Sequence, residues 1–182
     1  MIAVGKSADL VVLALILSAL APPLPAAAGT KYNACAKLTA GEVEAEVHAK
    51  VDRTIEQDVV INNGPYTGET QSSCTWVFAG GVASVAIIRA PRTPQERDYG
   101  LAQLRGAADR LKQQGWTVES TQTGGASCTR MVPPASETTA RPSTGCFMES
   151  KGLAFSVTVV GPAAVTARQV AALAGKVAAR LP

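Results

Sequence analysis

GVASVAIIRAP (Gly81–Pro91) and GLAFSVTVVGP (Gly152–Pro162) are two versions of one pattern. In the second, Leu153, Phe155, Val157 and Val159 alternate with smaller or polar residues. That period of two marks a strand with one buried face. Each stretch follows a turn, Ala79-Gly80-Gly81 or Lys151-Gly152, and each turn follows a strand candidate holding a cysteine. The candidates are Ser73–Phe78 with Cys74 and Gly145–Ser150 with Cys146. Helical sequence comes after each proline. The Gly-to-Pro spacing is identical in the two, and the Cys-to-Gly spacing differs by one residue. The pattern reads as a duplicated hairpin, each copy feeding a helix through a proline corner.

Working outward, three helices share one start signal. Thr39-Ala40-Gly41-Glu42, Thr93-Pro94-Gln95-Glu96 and Thr166-Ala167-Arg168-Gln169 are capping boxes. Pro94 takes the favoured first helical position. The first helix runs to about His48. The second runs to about Gln114, with Leu101, Leu104, Ala108 and Leu111 as its apolar stripe and Gly115 closing it. The third carries Val170, Leu173, Val177 and Leu181, and its alanines suit close packing on a sheet. Val51–Asn62, Thr117–Thr121 and Ser127–Met131 are further extended segments. The expected fold is α+β: one antiparallel sheet, about three helices packed on one face, and two duplicated α-β-β-β units with a closing helix.

The first 28 residues read as a secretory leader: Lys6, the apolar run Leu10–Leu20, then prolines and Ala26-Ala27-Ala28. The run is short of the roughly 20 residues that span a bilayer. Residues 29–182 are then one domain in the periplasm or medium, with no membrane span after cleavage. The four cysteines, Cys35, Cys74, Cys128 and Cys146, all lie beyond the leader. An even number in an exported chain favours disulfides. Of three connectivities, Cys35–Cys74 and Cys128–Cys146 join neighbouring segments and are favoured. Lys31-Tyr32-Asn33-Ala34 ahead of Cys35 is no lipidation box.

The charge, 17 basic against 14 acidic residues, argues against nucleic acid. The cysteine spacings and the single histidine, His48, argue against a metal site. No cofactor motif is present: there is no phosphate-binding glycine loop and no G-x-S-x-G elbow. Glu42, Glu44, Glu46, Asp52, Glu56 and Asp58, with His48, are the material for a hydrolase, provided that they converge. Trp76 and Trp116 are the material for a pocket that carries a small apolar ligand. Two loops, Gly64–Gly68 with Tyr66 and Val132–Thr144 with Pro133, Pro134 and Arg141, are the candidate interaction loops.

Asn33-Ala34-Cys35-Ala36-Lys37-Leu38-Thr39, followed by Gly41-Glu42-Val43-Glu44, the strand Cys74-Thr75-Trp76 and the end Arg180-Leu181-Pro182, resembles small exported bacterial envelope proteins of unknown function. Many of those are lipoproteins, and this chain departs from them in lacking the lipidation box. The resemblance implies an α+β envelope protein and no catalytic residues. The functional expectation is a monomeric, non-enzymatic binding or interaction module that meets an envelope protein or a small ligand. The alternatives are a hydrolase of envelope polymers or peptides and the small-ligand carrier.

Overall fold

The computed structural model describes residues 31–161 and 165–182. The expected leader, residues 1–28, and Pro162 lie outside them. The elements follow in the order α1 (Ala40–Val47), β1 (Val51–Val60), β2 (Thr70–Phe78), β3 (Gly81–Arg89), α2 (Pro94–Gln113), β4 (Thr117–Thr123), β5 (Ala126–Val132), β6 (Ser143–Ser150), β7 (Leu153–Val160) and α3 (Ala167–Arg180). Short 3₁₀ turns occupy Ala34–Ala36 and Gly64–Tyr66. No helix among the described residues is long and apolar enough to cross a membrane.

The seven strands form one antiparallel sheet, in the order β1-β2-β3-β7-β6-β5-β4. The fold is α+β, as expected. The duplication differs in detail from its sequence reading. Cys74 pairs with Val85, and Cys146 with Val157. Adding 72 to each residue number carries the first pair onto the second, and carries the register of β1 on β2 onto that of β5 on β6. The same shift makes Gly80, not Gly81, the counterpart of Gly152. Both occupy the second place of a two-residue turn with positive φ, +85° and +75°. The Cys-to-Gly spacings thereby agree, and the one-residue difference moves to the stretch between that glycine and the proline. Gly81 is glycine for a different reason: a Cβ there would collide with the Val160 carbonyl. The second unit also holds four strands rather than three. The segment of the first unit equivalent to β4 ends helix α1 instead.

Both expected disulfides form, Cys35–Cys74 and Cys128–Cys146. The second joins directly opposed residues of β5 and β6. The first ties the turn at Ala34–Ala36 to β2.

Alternation sends Cys74, Trp76 and Phe78, then Ala83, Val85 and Ile87, then Phe155, Val157 and Val159 to one face. Against that face pack Val170, Leu173, Ala174 and Val177 of α3, Val43 and Val47 of α1, and Leu38. Each fully buried side chain of this kind contributes about 1.5–3 kcal/mol. Helix α2 gives no residue to this core. It leaves the end of β3 and reaches β4, at the opposite edge of the sheet. Cys146 faces the core, so Glu149, three residues on, faces away. Arg97 of α2 meets Glu149 at 3.7 Å. The N-terminal part of α2 therefore lies on the outer face, while α1 and α3 cover the inner one. The stripe read as apolar does not serve as a core face: Leu111 is buried, but Leu101 and Leu104 are 43% and 62% exposed.

The two disulfides close chain segments of unequal length, with sequence separations of 39 and 18. In the chain-entropy view these are worth about 4 and about 3 kcal/mol. We expect the C35S/C74S variant to lose more stability in urea unfolding than C128S/C146S; the reverse order would refute the chain-entropy account.

Candidate functional site

Arg89 is the last residue of β3, and its guanidinium gathers three elements. It donates two hydrogen bonds to the Glu96 carboxylate, at 2.8 and 2.7 Å, and one from Nε to Glu69. Its Cζ lies 4.9 Å from the centre of the Tyr66 ring. Glu96 stands three residues after Thr93, the N-cap of α2. The Thr93 hydroxyl accepts the Glu96 N–H, as a capping box requires. The Glu96 carboxylate turns chiefly away from Thr93, whose N–H is its weakest partner; it accepts from Arg89 and from the Arg92 N–H at 2.6 Å. The boxes at Thr39 and Thr166 close in full. The Thr93 start is thus converted into an ion-paired anchor that fixes the beginning of α2 to the sheet. Tyr99, one turn further, lies against Gly64, where a Cβ would sit 2.7 Å from its ring.

Past this anchor α2 offers its side chains to solvent. The exposed large apolar residues among those described are Val59, Val60, Tyr99, Leu101, Leu104 and Phe147. None belongs to α1 or α3. Phe147 stands on the outer face, by alternation from Cys146, and Val59 does so by alternation from Asp58, which accepts from Ser72 on the inner face. A Cβ at Gly100 would meet nothing within 4 Å. The candidate site is therefore a surface: α2 from Arg97 to Asp109, beside the outer face of the sheet.

Most of the carboxylates considered for hydrolysis are taken up by backbone amides, a hydroxyl or Arg180. Glu42 is gripped by both guanidinium nitrogens of Arg180, at 2.7 and 2.8 Å, and accepts the Thr39 N–H. Glu44 accepts the Val51 N–H, and Glu56 the Cys35 N–H. Asp58 accepts the Lys31 N–H and the Ser72 hydroxyl. Glu46 is half-buried on α1, and Asp52 is exposed on β1. His48 ends α1 in the left-handed conformation, φ 54°. Trp76 is packed in the core and Trp116 is half-buried. Two hollows, one beside Pro91, Arg92 and Arg97 and one beside Val82, Arg141 and Val160, are open to solvent.

The loop residues are tied into the fold. Tyr66 lies under Arg89, and burial, followed by the charge of Glu96, pushes its hydroxyl pKa up. Pro134 faces Gly115 across the turn after α2. Arg141 donates to the Gly80 carbonyl, and Pro133 is half-buried. The Arg89 anchor escaped the sequence reading, although an arginine closing an apolar strand just before a glutamate-bearing helix start was its signal. In comparisons with protein-family models, curated proteins and solved structures, nothing matches this chain.

Glu96 is held down to about 2 by Arg89, helped by the Arg92 N–H, and Glu42 to about 2 by Arg180, helped by the Thr39 N–H. A carboxylate lowered on folding adds stability that is fully present above its ordinary value of 4.5. That stability fades as pH falls from there through about 2. The gap in melting temperature between the native chain and E96Q should be constant above pH 4.5 and shrink toward pH 2. A gap that ignores pH would disprove the anchor's ionic character.

Proposed function

We propose that this chain is an exported, non-enzymatic interaction module of the bacterial cell envelope, which docks through the apolar surface of α2 and the neighbouring outer face of the sheet. One observation carries the reading. A 20-residue helix, fixed at its start by a charged anchor, adds nothing to the core and keeps Leu101 and Leu104 in solvent. Single exposed leucines are ordinary, but Leu101 and Leu104 stand one turn apart on the same exposed side of one helix, and adjoining exposed apolar side chains are what an interaction site offers. Two disulfides and the leader-like N-terminal sequence support export. The resemblance to small exported envelope proteins points the same way. The hydrolase reading loses its support because most of its carboxylates are engaged with backbone amides and Arg180. The carrier reading loses its support because Trp76 lies in a packed core.

A photo-crosslinking side chain placed at Leu104, in cells that export the protein, should yield a discrete adduct. The same group at exposed Ala45 of α1, away from α2, should not. Absence of any adduct at position 104 defeats the docking reading.

A further inference from the structure

We propose that the exposed stripe of α2 pairs antiparallel with the same stripe of a second copy of this chain. The inference rests on the docking reading and names the partner of that surface. Arg97, Leu101, Leu104 and Ala108 recur at intervals of four, three and four residues, which is the a/d spacing of a two-helix seam. Arg97, Leu101 and Leu104 are exposed and Ala108 is half-buried.

In an antiparallel pair centred between Leu101 and Leu104, each Leu101 meets the other copy's Leu104, and each Arg97 meets Ala108. The flanks then decide whether the pairing is allowed. On one side Asp98 comes opposite Arg105 of the second copy, and the two-fold axis repeats that contact. Both residues are exposed, and neither enters an ion pair among the described residues. On the other side Gly100 comes opposite Ala107, two small residues that are half-buried toward their own domain. A parallel pair would set Asp98 beside Thr93 and Arg105 beside Gly100, and neither charge would find a partner. Charge thus selects the antiparallel arrangement and a second copy as the occupant. Two leucines per copy place the contact at the small end of the range for specific interfaces, so the association is reversible and concentration-dependent. Self-pairing replaces the expectation of a monomer: within the stripe Arg97 meets Glu149 of the sheet at 3.7 Å, while Leu101 and Leu104 stay exposed.

The test is sedimentation equilibrium across the micromolar range on the protein recovered from the envelope. The native chain should self-associate. D98R and R105D should each weaken self-association by about ten-fold or more, corresponding to about 1.4 kcal/mol. Mixing the two variants should restore it, because each new arginine then faces the other variant's new aspartate, and the remaining native pair is of opposite charge as well. Both substitutions lie on exposed side chains, and unchanged circular dichroism melts would confirm folding. A native chain that stays monomeric throughout overturns the proposal, as does self-association that ignores both charge reversals. A monomer that still gives a crosslink of foreign mass at position 104 overturns self-pairing and leaves the docking reading standing. No crosslink of any mass defeats the docking reading itself.

Discussion

The ladder between β3 and β7 holds the molecule together. It runs from Val82 opposite Val160 to Arg89 opposite Leu153 and joins three strands, β1 to β3, to four, β4 to β7, that have no other strand-to-strand connection with them. Residues far apart in the chain must meet before the sheet exists. The inner face of this ladder supplies Ala83, Val85, Ile87, Phe155, Val157 and Val159, all buried. Helix α3 settles on the second unit, since its contacts with the sheet fall on β4, β5, β6 and β7. Non-local pairing of this kind makes folding slow compared with helical proteins of similar size. Until β7 arrives, β3 presents an unpaired apolar edge, the kind of surface that invites aggregation.

Much of this was legible in the amino-acid order because it rests on local rules. The three Thr-led helix starts needed only a hydroxyl and a carboxylate or amide three residues apart. Period-two alternation from Leu153 to Val159 exposed the most buried strand. The disulfide pairing followed from which segments were neighbours. What escaped was of another kind. The true equivalence of Gly80 with Gly152 was hidden because Gly81 is also glycine, for the sake of a passing carbonyl. Only the hydrogen-bond register separates a glycine required by φ from one required by space.

The stripe on α2 failed as a guide for a related reason. Spacing reveals that Leu101, Leu104 and Leu111 share one side of a helix, but not what that side meets. A sheet, a solvent-facing gap and another molecule all produce the same period. The anchor at Arg89 decides among them: by seizing Glu96 it fixes the start of α2, and of the three leucines only Leu111 is then buried. Sequence reasoning also treated Glu42, Glu56 and Asp58 as a potential reactive cluster. Each instead receives an amide or a guanidinium, because the turn at Ala34–Ala36 and the end of α3 need acceptors there.

A helix secured at its ends and unsupported between them has a dynamic consequence. Its terminal turns share the stability of the elements they touch, whereas Leu101 to Arg105 are all exposed and have little tertiary packing to lose on opening. Glycines at 100 and 106 lower helix propensity in that same span. The amide protons there are guarded only by local hydrogen bonds, so they exchange with solvent through brief fraying of one or two turns, while those of α3 wait for the whole domain to open.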